Sequence, residues 1–240
     1  MKIWLVVAVA STIGCAKKRD DAPAQPGSGS ASAVALDTPA QPPAAIDAAP
    51  AAAACSFAPV DPDPAKWTVD ARHVGPFTPC KTDLDLAKLA VALPASEGYE
   101  IKRIVDASAP VVTYEVRRKG KLLLFAGTQA DEGLVSVRIL DKSIAAPHGV
   151  HVGDSFKKVR AALGELECAY AAAEGSESVT CWGKDDPKPG DTEHAGFHYG
   201  VAPRPTSSRE RELLSKGEPP PPALIDKHAV ADIIWLPGKS

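Results

Sequence analysis

Four of the six histidines fall in two close pairs, His148/His151 and His194/His198. If those two segments are adjacent strands or strand ends, the imidazoles converge on a zinc or copper ion. Spacing of i,i+4 puts ligands on one face of a helix, yet residues 194–198 read as strand or loop, and scattered surface histidines account for them equally well. Ser155 follows Gly153-Asp154 without the G-x-S-x-G turn that exposes a nucleophile, and its position suits a helix cap. The paired carboxylates Asp185-Asp186 and Glu210/Glu212 sit in charged or Pro/Gly-rich stretches. Glycoside hydrolysis needs two carboxylates at a fixed separation in a cleft, which exposed runs do not supply. Neither a phosphate-binding loop nor a dinucleotide fingerprint is present. No catalytic residue and no cofactor is therefore expected; the histidine segments carry the alternative, a metal-binding protein or enzyme.

The five cysteines are more informative. Cys15 ends a start made of Met1-Lys2, the apolar run at residues 3–10, and Ser11-Thr12-Ile13-Gly14. A basic end, a short apolar run and small residues make a secretory signal, and the run is shorter than the about 20 residues that cross a bilayer. Thr12-Ile13-Gly14-Cys15 resembles the lipobox of bacterial lipoproteins, cut before a diacylated cysteine, although Thr12 stands where Leu is usual. Residues 1–14 are thus expected to be a signal peptide and Cys15 the lipid anchor, with ordinary cleavage near Ala10 or Gly14 as the other reading. By the enterobacterial sorting rule, Ala16 after the anchor implies the outer membrane.

Residues 16–54 hold Lys17-Lys18-Arg19-Asp20-Asp21, then Ala, Pro, Gly and Ser without one aromatic. Such a stretch cannot bury enough apolar surface to offset its ordering entropy, so residues 15–54 read as a lipidated, disordered linker. Fully extended, its span reaches roughly 130 Å at most. A formal net charge of -3 argues against nucleic acid, whose binders carry a basic face. The expected partners are the membrane, through the anchor, and an envelope protein or wall component.

Residues 55–240 are long enough for one core. Thr82-Asp83-Leu84-Asp85 opens a helix capped by Thr82, with Leu86, Leu89, Ala90 and Leu93 at helical spacing before Pro94. Val112, Tyr114 and Val116 alternate with polar residues, Lys119-Gly120 turns the chain into residues 121–125, and Val135, Val137 and Ile139 alternate again. This is an antiparallel meander with one face buried. A second helix runs to about Leu163-Gly164, capped by Asp154 or Ser155 at its start and by Gly164 at its end. Residues 166–171 and 178–183 flank Glu174-Gly175, and pairing about that turn sets Cys168 opposite Cys181, close enough for a disulfide. By elimination Cys55 pairs with Cys80; zinc spacings such as C-x-x-C are absent. An even number of cysteines in an exported chain favours disulfides over a metal site. Strands at 197–201 and 230–235 close the domain, separated by an exposed, charged and proline-rich insert at 202–222. The expectation is an α+β domain, mainly antiparallel sheet of about seven or eight strands with two helices, and no internal repeat.

Gly149, Val152-Gly153-Asp154-Ser155-Phe156, Cys168, Glu174-Gly175, Cys181, the strand at 197–199, the prolines at 219–222, Leu224 and Ile233-Ile234-Trp235 form a more specific pattern. Together they resemble the sigma-E-regulated envelope lipoproteins of enterobacteria, a family of unknown function, over roughly residues 67–236. The chain departs from that pattern in its long linker, the additional Cys55/Cys80 pair and the charged insert at 204–217. The resemblance implies an envelope protein with no established catalytic residues. On both grounds the expected function is a non-catalytic binding or assembly module of the cell envelope.

Overall fold

The alternation beginning at residue 111 produces two strands joined by a tight turn. Val111–Arg118 (β4) and Lys121–Gln129 (β5) meet at Lys119 and Gly120, both at positive φ, 50° and 76°. Two such residues make the hairpin turn whose twist matches the flanking strands. In the computed structural model, which describes residues 55–173, 176–191, 193–201, 212 and 222–238, this hairpin is the centre of a meander. Tyr99–Val105 (β3) pairs along β4, and Gly133–Ile139 (β6) pairs with β5. Before β3 stand the short hairpin strands Val69–Asp70 (β1) and His73–Val74 (β2) and the helix Leu86–Ala92 (α1).

The second half repeats this plan. The helix Phe156–Leu163 (α2) leads into Leu166–Ala173 (β7), Ser176–Gly183 (β8), Ala195–Val201 (β9) and, after the four-residue helix Pro222–Ile225 (α3), Val230–Pro237 (β10). The eight strands form one antiparallel sheet in the order β3-β4-β5-β6-β10-β9-β8-β7. Two helix-plus-meander halves thus join through their last strands, with Ile233 opposite Ile139 and Trp235 opposite Val137. The α+β class stands, with ten strands among the described residues counting the short hairpin. The expectation of no internal repeat is corrected at the level of topology. His73-Val74-Gly75 and His151-Val152-Gly153 are a short echo ahead of the two helices; elsewhere meander pairing constrains alternation rather than residue identity.

One face of the sheet carries the core. Tyr114, Val116, Leu124, Val137, Ile139, Tyr199, Ile233 and Trp235 are buried in one cluster, joined by Leu89 and Leu93 from the α1 side and Phe156 and Val159 of α2. The expected signal at 1–14, the expected anchor Cys15, the expected linker at 15–54, the Glu174-Gly175 turn and the insert at 202–221 lie outside the described residues, Glu212 excepted.

Thr82 does not cap α1. Asp85 does, its carboxylate accepting from the N–H groups of Ala87 and Lys88 at 2.9 and 3.2 Å, while Thr82 Oγ1 accepts from the Cys55 N–H. The helix starts late because Asp83 is drawn to the sheet. Its Oδ1 accepts from Tyr114 Oη at 2.6 Å, Thr128 Oγ1 at 2.7 Å and the Leu84 N–H at 2.9 Å. Burial works against the charged form of Asp83, but these donors and the Arg103 guanidinium outweigh it and hold the carboxyl below its usual range.

Asp141, just past β6, is the better probe of acid stability because it is buried. It accepts from Lys121 Nζ and the Ser143 N–H, both at 2.7 Å. Burial raises its pKa, yet the Lys121 ammonium and the Ser143 hydrogen bonds prevail and the net shift is downward. A depressed folded-state pKa contributes stability above the unfolded value, lost as pH falls through the folded one. Urea midpoints are therefore expected to fall as pH drops below about 4, and to fall less in Asp141→Asn. An unchanged slope in that variant would contradict the assignment.

Candidate functional site

The four histidines are not brought together. His151 lies beside the start of β10, where the Gly153 N–H donates to the Val230 carbonyl. His194 lies at the other end, next to Ala195, which faces Pro237. Seven residues of strand separate those points, roughly 23 Å. His198 faces Ile234, roughly 13 Å along β10 from Val230. Metal–nitrogen bonds of about 2 Å cannot bridge such gaps. Ring nitrogens are also engaged locally. His151 Nδ1 donates to the Lys142 carbonyl at 2.9 Å, His194 Nδ1 lies 3.0 Å from Asp191 Oδ2, and His198 Nε2 donates to the Pro187 carbonyl at 2.6 Å. His148 sits in a short turn at positive φ, 61°. Among the described residues no group of three or more His, Cys, Asp or Glu side chains is disposed to hold a metal. The four-histidine site, and with it the metal-centre alternative built on these segments, is corrected by this separation.

Ser155 is the N-cap of α2, its side chain accepting from the Lys158 N–H at 3.3 Å. Asp154 accepts from the His151 N–H and pairs with Lys158 Nζ, both at 2.8 Å. Burial opposes ionisation of Asp154, but the Lys158 contact and the His151 N–H outweigh it, holding the carboxyl below its usual value. Neither residue faces a nucleophile or base partner that the hydrogen bonds reveal. Asp186 is a structural clasp, its two oxygens accepting from the Gly183 and Phe197 N–H groups at 3.1 Å each. It fixes the chain just after β8 over the second face of the sheet, where Pro187 lies against Gly196 so closely that a Cβ there would meet its ring at 2.1 Å.

That face also has a polar core, which residue spacing alone does not reveal. Asp232 of β10 is buried and pairs with Arg138 of β6, whose Nε donates to Oδ2 at 2.9 Å. Gly200 opposite leaves the room, since a Cβ there would lie 2.0 Å from Asp232 Oδ1. The signal was available: an acid within the otherwise apolar run Val230-Ala231-Asp232-Ile233-Ile234-Trp235 needs a partner when buried.

Both disulfides are present. Cys168 and Cys181 face each other across β7 and β8, with Cα atoms 4.0 Å apart. Cys55 is bonded to Cys80, with Cα atoms 4.9 Å apart, so the first described residue is tied to the segment before α1. Two disulfides indicate an oxidising, non-cytoplasmic compartment. Among the described residues no helix is long and apolar enough to cross a membrane.

Two cavities remain as places for a ligand. One, of about 400 Å³, lies at the sheet end between Lys81, Asp131, Glu132, Leu134, Asp191 and Leu236. The other, of about 680 Å³, lies along β7 between Arg160, Leu166, Cys168, Trp182, Lys188 and Ile225. Pro222, the end of the undescribed insert, also borders the second. Apolar and charged side chains line both.

No protein-family model matches the chain, and no curated protein matches its sequence. The structure is similar to the crystal structure of the uncharacterized protein yfeY from Escherichia coli, at 20% sequence identity and a TM-score of 0.48, over 70% of this chain and 99% of that one. A likeness at that level assigns neither a family nor an activity.

Proposed function

We propose that this chain is an exported lipoprotein, anchored through Cys15 to a membrane of the cell envelope, whose domain at 55–240 binds an envelope component without transforming it. The observation that carries the reading is the pair of disulfides, which supports life in an oxidising compartment. The signal-like residues 1–14 and the cysteine after them agree with that. The linker at 15–54 provides reach from the anchor, and the enterobacterial sorting rule applied to Ala16 favours the outer membrane. The contact surface is the insert at 202–222, charged and proline-rich, because a proline run is already extended and docks into aromatic-lined grooves at little entropic cost.

The test is crosslinking in the native host followed by mass spectrometry, comparing the wild type with a variant lacking residues 204–217. A reproducible envelope partner that is lost on deletion is expected. A partner held equally by both proteins would move the contact surface elsewhere, and specific capture by neither would overturn the binding-module reading.

A further inference from the structure

We infer that the Cys168–Cys181 disulfide is a thiol–disulfide exchange site, opened in the folded domain by a dithiol that enters the cavity along β7 and attacks the sulfur of Cys168. The inference stands apart from lipidation and from any partner at the insert.

The two disulfides differ in access. Cys55 and Cys80 are both buried, at 4% and 5% exposure. The cavity that Cys80 borders is the smaller one. In the other pair Cys181 is wholly buried on β8, between β7 and β9, while Cys168 is half-buried on β7. β7 is the last strand of the sheet, with no further strand beyond it among the described residues. Cys168 also lines the cavity of about 680 Å³. That space is large enough for a small dithiol or the tip of a redox protein's loop. Its charged lining, Arg160 and Lys188 against Glu165 and Glu167, is balanced and repels neither a thiolate nor a thiol. Exchange depends on which sulfur the attacking thiolate can reach, and of the four disulfide-bonded cysteines only Cys168 combines partial exposure with a place in a cavity.

A thiolate of the dithiol forms a bond to Cys168 Sγ as the Sγ–Sγ bond breaks, and Cys181 leaves as a thiolate that takes up a proton. The second thiol of the reagent then attacks the mixed disulfide and releases Cys168 as a thiol. Two electrons pass from the dithiol, which becomes a disulfide. The β7–β8 pair keeps its eight-residue register but loses its covalent clasp, so the edge of the sheet is loosened by reduction and closed by oxidation.

The full oxidised chain, without denaturant, would be exposed to dithiothreitol, quenched with iodoacetamide at intervals and mapped by peptide mass. Cys168 and Cys181 are expected to be alkylated faster than Cys55 and Cys80 by on the order of tenfold or more, with far-UV circular dichroism unchanged, because local access opens before global unfolding does. In a second arm with glutathione, a monothiol, the trapped mixed disulfide is expected on Cys168. Four results would overturn the inference: equal rates for both pairs, earlier opening of Cys55–Cys80, no opening without denaturant, or a glutathione adduct on Cys181.

Discussion

Replacing Trp235 with alanine is expected to remove roughly 3–5 kcal/mol of stability, measured as a lowered urea midpoint at unchanged slope. Trp235 is fully buried and stands at the join of the two halves, opposite Val137 of β6 on one side and Phe197 of β9 on the other. Among the described residues its Nε1 has no acceptor, so the loss is one of packing and apolar burial. Against a total of about 5–15 kcal/mol for ordinary domains, that is a large fraction. Val91→Ala is the matched control. Val91 is 81% exposed on α1, and its truncation should stay within about 0.5 kcal/mol. Similar losses in both variants would mean that the halves do not join through this residue.

Serine at all four described cysteines should cost about 6.5 kcal/mol. Loop-closure entropy assigns about 3 kcal/mol to the Cys168–Cys181 bridge and about 3.5 to Cys55–Cys80, from sequence separations of 13 and 25 residues. The two should be nearly additive. The Cys80 carbonyl accepts from the Leu134 N–H of β6, and β6 lies three strand spacings from β8, roughly 14 Å. The two double-serine variants and the quadruple one, compared by urea unfolding, decide this. A quadruple variant as stable as the wild type would show that packing alone holds the fold.

Much of the sheet is legible in the residues because its determinants are local. The Lys119-Gly120 turn, the alternation at Val112, Tyr114 and Val116, and the symmetric spacing of Cys168 and Cys181 about residues 174 and 175 each constrain the pairing by themselves. β3 is not, and the reason is Arg103. Register sets it opposite Tyr114 on the core face, where a hydrophobic residue would complete the alternation of Tyr99 and Ile101. Its guanidinium instead reaches Tyr114 Oη and Asp83. An inward charge on an edge strand discourages pairing with another sheet, and it also hides the strand from a pattern search.

The cap of α1 is ambiguous in the sequence for a related reason. Thr82, Asp83 and Asp85 all have capping side chains, and tertiary contacts divide them: Thr82 to Cys55, Asp83 to Tyr114 and Thr128, Asp85 to the helix. The histidines illustrate the limit on sites. Short sequence spacing brings His148 close to His151 and His194 close to His198, but the distance between pairs depends on which end of β10 each meets. That is a property of sheet order, which pairwise spacing does not contain. The pairing of buried Asp232 with Arg138, 94 positions apart in sequence, is of the same kind.

The proposed anchor can be tested directly by growing the native host with labelled palmitate and comparing the wild type with Cys15→Ala. Label in the wild-type protein and none in the variant is the predicted result. Label in both, or in neither, would contradict an envelope lipoprotein anchored at Cys15.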